Sequence, residues 1–266
     1  RILLVFVLCM LQFCSLVQAQ QVADSAYSPE IACPQYQPGI GPVVFIDEGH
    51  VNFHTKDGRY LSFARVLEKD GYRVEGYKGS FETTRLTKGK ILVISNALNK
   101  MNELDWYLPT PSAFTPEETE VVRQWVHNGG SLFLIADHMP MAGAASDMAA
   151  VFGFTFFNGF AMDTTKSGPA FFYRKEKNLT DNLISNGRND SERIDKAVTF
   201  TGQAFRIPDN ATSILTFDSC YTVLMPDTAW VFNSNTHAVN AAGLSQGAFM
   251  TYGKGKVVVF GEAAMF

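Results

Sequence analysis

Short apolar runs alternate with polar stretches of helical periodicity from residue 43 onward. Three of the runs stop abruptly at acids or histidines: Val43–Ile46 before Asp47, Leu132–Ala136 before Asp137, and Val257–Phe260 two residues before Glu262. Uninterrupted apolar runs of four or five residues are typical of strands that are buried on both faces of a parallel sheet. Ligands bind such sheets beyond the carboxyl ends of the strands, so the pattern predicts where the working surface lies.

The remaining pattern predicts an alternation of helices and strands. Apolar residues recur at helical spacing between Tyr60 and Leu67, and the Asp70-Gly71 pair is a typical helix end. Thr115-Pro116-Glu117-Glu118 combines an N-cap, a proline at the first helical position and a glutamate three residues after the cap. A third helix is expected over about 144–152. The predicted strands are Val43–Asp47, Tyr72–Tyr77, Lys90–Ser95, Ser131–Ala136, Val198–Thr201, Ser213–Phe217, Trp230–Phe232, Ala248–Tyr252 and Lys256–Phe260.

Alternation of strands and helices with short connections predicts a three-layer, flavodoxin-like α/β domain with a mostly parallel sheet and a β-rich later part. We expect the domain to cover residues 43–266, with a loop-rich insertion over 158–195 and a surface leader over 20–42. Tyr252-Gly253-Lys254-Gly255-Lys256 predicts a hairpin turn. The chain stops just after the third acid-bearing strand, where a covering helix is expected, which predicts truncation at this end.

The first nineteen residues have the pattern of a secretory signal peptide. Ile2–Val17 is almost entirely apolar, and Val17-Gln18-Ala19 places small residues at the cleavage positions. We therefore expect an exported protein, periplasmic or extracellular, without a membrane span beyond the signal. The chain has 22 Lys and Arg against 26 Asp and Glu and no basic run, which argues against a nucleic-acid partner.

Two cysteines, Cys33 and Cys220, follow the predicted signal peptide. In an oxidising compartment they can form a disulfide, whereas two buried thiols are the alternative. Neither cysteine lies in a turn that is typical of a nucleophile.

Candidate chemistry gathers at the predicted carboxyl ends if the strand order is 2-1-3-4-5. Asp137, His138 and Glu262 are the candidate catalytic residues, because paired carboxylates and imidazoles suit acid–base chemistry. Asn52 and Asn96 are the candidate substrate-binding residues. Glu262 could instead cap a following helix.

Asp47, His50 and His54 are the candidate metal ligands. Their spacing, Asp-x-x-His-x-x-x-His, combines carboxylate and imidazole donors that suit a divalent metal such as zinc. The alternative is that Asp47 and Asp137 cap local turns while the histidines form local hydrogen bonds. The sequence has no Gly-x-Gly-x-x-Gly motif after the first strand and no Gly-x-Ser-x-Gly elbow, so nucleotide binding and serine-hydrolase chemistry lack motif support.

Residues 43–52, 128–140 and 261–266 carry a resemblance to an uncharacterised family of exported bacterial proteins. That family is similar to class I glutamine amidotransferase-like domains, the superfamily that includes ThuA-like proteins. The resemblance implies the same fold but no established reaction. True amidotransferases place a nucleophilic cysteine after the strand that corresponds to Leu132–Ala136, where this chain has Asp137-His138, so cysteine-dependent glutamine hydrolysis is not expected.

Two functions remain open from the sequence. One is a hydrolase that acts on a small polar or carbohydrate-like molecule at the strand ends. The other is a non-catalytic ligand-binding or assembly domain that uses the same crevice.

Overall fold

The computed structural model describes residues 22–266, so the predicted signal peptide lies outside the described residues. Residues 22–42 run over the surface without helix or strand. The helices are α1 (Leu61–Lys69), α2 (Thr83–Leu86), α3 (Pro116–His127), α4 (Met141–Ala144), α5 (Ser146–Ala150) and α6 (Leu183–Asn186), with 3₁₀ turns at Lys100–Asn102 and Arg174–Glu176. The strands are β1 (Val43–Asp47), β2 (Arg73–Tyr77), β3 (Ile91–Ser95), β4 (Ser131–Ile135), β5 (Thr155–Phe156), β6 (Phe160–Asp163), β7 (Ala170–Tyr173), β8 (Lys196–Thr199), β9 (Phe205–Arg206), β10 (Thr212–Thr216), β11 (Tyr221–Met225), β12 (His237–Asn240), β13 (Ser245–Tyr252) and β14 (Gly255–Phe260).

The central sheet has nine strands and is mostly parallel on its first side. Its order is β2-β1-β3-β4-β14-β13-β9-β5, and β10 pairs with β13. The pairs from β2 to β14 are parallel, whereas β13 and β14 form the antiparallel hairpin predicted around Gly253. The predicted order 2-1-3-4-5 is therefore confirmed, with β14 as the fifth strand.

Apolar packing covers both faces of this sheet. In β1, Val43 and Phe45 join a core cluster that contains Val122 and Trp125 of α3. Val44 and Ile46, which point to the opposite face, join a second cluster that contains Ala64 of α1. All five β1 residues are buried, as the uninterrupted apolar run predicts, because helices cover both faces.

Two small antiparallel sheets extend the later part of the chain. One has the order β12-β11-β6, and the other pairs β7 with β8. Residues 158–195, predicted as a loop-rich insertion, thus contain β6, β7 and α6. The predicted strand at Trp230–Phe232 is wrong: these residues form a turn and loop, and their aromatic side chains are exposed rather than paired into a sheet. Six of the strands described above have no counterpart among the predicted ones: β5, β6, β7, β9, β11 and β12.

Both cysteines of the described region are free and exposed. Neither alternative left open by the sequence is found, because Cys33 and Cys220 are not bonded to each other and neither thiol is buried. Within residues 22–266, the helices are all too short or too polar to cross a lipid bilayer.

Candidate functional site

The carboxyl ends of four neighbouring strands meet at one edge of the central sheet. The register aligns Ile46 with Val93, Ser95 with Ile135, and Ile135 with Phe260. The residues that follow these strands therefore face the same edge, as the strand order predicts. They separate into two groups, one built around His50 and one around Glu262.

His50 is held between two carboxylates. Its Nδ1 lies 2.9 Å from both oxygens of Asp47, and its Nε2 lies 3.0 Å from Oε1 of Glu118. Burial alone would lower the pKa of His50, but the hydrogen bonds and charges of Asp47 and Glu118 outweigh it and raise the pKa above its usual value. Both ring nitrogens can donate only in the imidazolium form, so this geometry favours a charged His50.

Both carboxylates are themselves fixed by backbone and amide donors. Glu118 closes the predicted capping box of α3 with Thr115, and its Oε1 also accepts from the Phe81 N–H at 3.0 Å. Asp47 accepts from the Asn52 side-chain amide at 2.9 Å and from the Gly49 N–H at 3.1 Å. The hydrogen bonds of His50 therefore connect the loop after β1 to the start of α3. Asn52, predicted to bind substrate, instead donates to Asp47 within this network.

The candidate metal ligands are not brought together. His50 bonds to Asp47 and Glu118, whereas Nδ1 of His54 lies 3.2 Å from the Ser95 hydroxyl. Among residues 22–266, no group of three or more His, Cys, Asp or Glu is placed to hold a metal ion. The predicted set Asp47, His50 and His54 is thus not gathered into one cluster. Asp47 caps the turn after β1, as the alternative expects. The histidines, however, also bond to Glu118 and Ser95, which are 68 and 41 residues away, so their hydrogen bonds are not all local.

His54, Ser95 and Tyr60 form a buried polar chain below the edge. The three side chains are at most 1% exposed. Burial lowers the pKa of His54 to about 3, with the Arg59 charge adding to the effect, so the imidazole is neutral at neutral pH. The Tyr60 hydroxyl donates to the Ala263 carbonyl at 3.1 Å, which anchors the loop that carries Glu262.

Glu262 is the most perturbed acid at the edge. It is 1% exposed, its Oε1 accepts from the Ala264 N–H at 2.6 Å, and its Oε2 has no hydrogen-bond partner. Burial, with the charge of Asp137 adding to it, raises the pKa of Glu262 to about 8. At neutral pH this carboxyl is therefore mostly protonated.

Asp137, His138 and Asn96 lie beside Glu262 at the ends of β4 and β3. Asn96 adopts a left-handed backbone with φ of 46°, and its side-chain oxygen accepts from the Asp137 N–H at 2.8 Å. Nδ1 of His138 lies 2.7 Å from the Met139 carbonyl, which can only accept, so Nδ1 is a donor. The His138 ring stacks on Phe160 with a centroid distance of 4.4 Å and contacts Trp230.

The predicted catalytic residues Asp137, His138 and Glu262 thus lie at one edge of the sheet. Asn52 and His50 belong to the hydrogen-bond network that connects the loop after β1 to α3. Sequence reasoning missed Glu118 as the partner of His50, although its capping position was recognised. The sequence placed His54 and Ser95 at the same edge but did not indicate that they hydrogen-bond to each other.

Gln203 hydrogen-bonds to the residues that directly precede Asp137 and Glu262. Its side-chain amide donates to the Ala136 carbonyl at 2.9 Å, and its N–H donates to the Gly261 carbonyl at 2.7 Å. Gly202 adopts φ of 74°, and a Cβ there would contact the Gly261 carbonyl and the Glu262 side chain. The segment around Gly202 therefore encloses Glu262 at close range.

No protein-family model matches this chain. No curated protein matches it either. Solved structures do resemble it. The mmIFT52 N-terminal domain has a TM-score of 0.58 at 13% identity, with 84% of this chain and 87% of that chain covered.

Two further solved structures are similar at low identity. The cytoplasmic protein STM1381 from Salmonella typhimurium LT2 has a TM-score of 0.50 at 12% identity, with 83% and 87% of the two chains covered. A ThuA-like protein from Bacteroides uniformis ATCC 8492 has a TM-score of 0.47 at 12% identity, with 88% and 84% covered. At such identities a likeness concerns the fold alone, and the site has to be interpreted from its own residues.

Proposed function

We propose that this chain is an exported enzyme that uses Glu262 and Asp137 as a proton donor and acceptor at the carboxyl edge of its sheet. The reaction class that suits this pair best is hydrolysis of a small polar or carbohydrate-like molecule. The three resembling segments at residues 43–52, 128–140 and 261–266 support a class I glutamine amidotransferase-like, ThuA-like variant of the flavodoxin-like fold.

One observation carries the proposal: Glu262 is buried next to another acid with one oxygen unpartnered. A buried, incompletely bonded carboxyl costs folding free energy, and strongly perturbed carboxyls occur preferentially at functional sites. Packing gives no reason to keep an acid here, since glutamine would fill the same volume without the charge. A role in proton transfer supplies that reason.

The two acids have different environments and therefore different roles. Glu262, with its pKa raised to about 8, holds a proton at neutral pH that it can donate to a leaving group. Asp137 is partly exposed, which suits a carboxylate that accepts a proton from an attacking water. His138 lies directly after Asp137 and orients substrate against the same edge.

Hydrolysis of nitrophenyl esters and nitrophenyl glycosides by the purified chain tests this proposal. We expect Glu262→Gln and Asp137→Asn each to lower kcat/KM by about 100-fold or more. The control is Glu120→Gln, which changes an exposed glutamate on α3 that pairs with Arg123. Activity that survives Glu262→Gln unchanged, or no turnover of any substrate by the wild-type chain, would contradict the proposal and favour a non-catalytic ligand-binding or assembly domain.

A further inference from the structure

Three exposed aromatic residues lie on two loops that are joined to each other near the candidate site. Tyr107, Trp230 and Phe232, here called the aromatic rim, are 47%, 51% and 36% exposed. The loops are held together by a backbone bridge between Tyr107 and Thr228 and by hydrogen bonds of 2.8 Å from Leu108 to Asp227 and from Ala229 to Trp106. The rim is therefore a fixed part of the fold.

The rim is continuous with the candidate site. The Trp230 ring lies 4.8 Å from the His138 ring and 4.6 Å from the Phe160 ring, and Phe232 lies 5.3 Å from Phe160. His138 in turn follows Asp137 at the end of β4. Trp230 thus lies within one ring contact of the residue that follows Asp137.

Trp230 is held in a backbone conformation that is unfavourable for its residue type. Its φ is 67°, in the left-handed region, which is strained for a bulky residue. In this conformation the Trp230 side chain remains about half exposed to solvent. Such strain persists where the surroundings impose it, and it occurs preferentially at ligand-binding positions.

A cavity of about 380 Å³ opens on the same loop, next to the rim. Its lining includes the polar side chains of Asp227, Asn233, Asn235 and Thr236, together with Val231. Its lining includes one histidine, His237, but no lysine or arginine, so it lacks the permanent positive charge that typically binds a phosphate or carboxylate ligand. Amide, hydroxyl and carboxylate groups here instead suit a neutral ligand with many hydroxyls.

We infer that the aromatic rim and this cavity form a binding subsite for a pyranose ring of an oligosaccharide. A pyranose has one apolar C–H face, which an indole or phenol ring can cover, and a hydroxyl-bearing periphery, which the polar cavity can bond. This inference specifies the carbohydrate-like ligand of the proposed function as an oligosaccharide. It rests on that proposal in one respect, namely that ligands bind at the carboxyl edge of the sheet. An oligosaccharide that spans the rim and the edge is longer than a single sugar.

Calorimetric titration with maltohexaose, cellohexaose, xylohexaose, mannohexaose and chitohexaose tests the subsite. At least one of the five is expected to bind the wild-type chain. Trp230→Ala and Tyr107→Ala should each weaken that binding by about tenfold, whereas Trp230→Phe should retain most of it. The matched control is Phe171→Ala, which removes an exposed aromatic of β7 outside the rim and should leave binding unchanged.

Glu262→Gln separates this inference from the proposed function. Sugar binding that persists in Glu262→Gln and is lost in Trp230→Ala supports the subsite even if no hydrolysis is found. Binding of none of the five sugars, or equal binding by wild type and both alanine variants, overturns it. A wild-type chain that self-associates in ultracentrifugation, becomes monomeric in Trp230→Ala and binds no sugar would assign the rim to a second copy of the chain.

Discussion

His50 lies between two carboxylates, an arrangement that raises its pKa and favours the imidazolium form. Its two ring nitrogens face Asp47 and Glu118 at 2.9 and 3.0 Å, and its ring packs near Phe81 and Phe114. The sequence placed Asp47 and His50 at the correct edge, because both follow a buried strand. It could not reveal Glu118, which is 68 residues away in the chain.

Removal of the His50 ring should destabilise the fold strongly. His50→Ala leaves two buried carboxylates facing each other without a cation, and such a loss costs about 3–5 kcal/mol of unfolding free energy. Urea unfolding at neutral pH measures the cost, with His237→Ala as the control because His237 is exposed. Equal stability of His50→Ala and the wild type would contradict the structural role.

Glu262 makes stability fall as the pH rises. Its pKa is raised from 4.5 in the unfolded chain to about 8 in the fold, so the native state binds the proton more tightly. The resulting stabilisation is fully present below pH 4.5 and is lost as the pH rises to about 8. Each pKa unit corresponds to about 1.4 kcal/mol.

Thermal melting from pH 5 to pH 8.5 tests this contribution. The wild-type melting temperature should decrease across the range, and the decrease should be smaller in Glu262→Gln, which cannot ionise. The charged His50 also loses stabilisation as the pH rises, so the difference between wild type and Glu262→Gln isolates the Glu262 part. Parallel curves for the two proteins would be inconsistent with a raised Glu262 pKa.

At the scale of elements, apolar runs predicted the parallel strands well because those strands are buried on both faces. β1 has the predicted bounds, and β4 differs from its predicted bounds by one residue. The apolar run Trp230–Phe232 also predicts a strand, yet its side chains are exposed on a loop. Hydrophobicity alone does not distinguish a buried strand from an exposed aromatic surface.

The segment around Gly202 positions the end of β14. A Cβ at Gly202 would meet the Gly261 carbonyl and the Glu262 side chain, and φ of 74° disfavours any other residue. Gly202→Ala should therefore destabilise the chain by about 1–3 kcal/mol and displace Glu262. Gly243→Ala is the matched control, since Gly243 has a similar φ of 80° but open space around it.

A combined readout separates the two effects of Gly202→Ala. Unfolding free energies compare it with Gly243→Ala, and the carboxyl titration of Glu262 reports displacement. A Gly202→Ala chain that is no less stable than Gly243→Ala, with an unchanged Glu262 titration, would show that the close approach has no consequence.

At the scale of the whole molecule, strand order turns separate sequence segments into one site. Asp137 and Glu262 are 125 positions apart, yet they become neighbours because β4 pairs with β14 in parallel register. This convergence was predictable from the buried strand pattern and the carboxyl-end rule. The small antiparallel sheets were not predictable in this way. Their strands β11 and β12 lie on a partly exposed surface and show only weak alternation of buried and exposed residues.

The two free cysteines give a direct test of the arrangement of the chain. Cys33 in the surface segment and Cys220 before β11 are both exposed. Iodoacetamide should alkylate both in the native protein without prior reduction, as peptide mass mapping would show. Protection of both until a reductant is added would indicate a Cys33–Cys220 disulfide and a different arrangement of these segments.

Carboxyl ¹³C NMR titration of Glu262 tests the central claim most directly, because the proposed chemistry depends on a proton held there beside Asp137. The chain is compared as wild type and as Asp137→Asn, with Glu262→Gln used to assign the resonance. We predict a midpoint near pH 8 that decreases when the Asp137 charge is removed. A midpoint near the ordinary value of 4.5, or one that is insensitive to Asp137→Asn, would contradict the account.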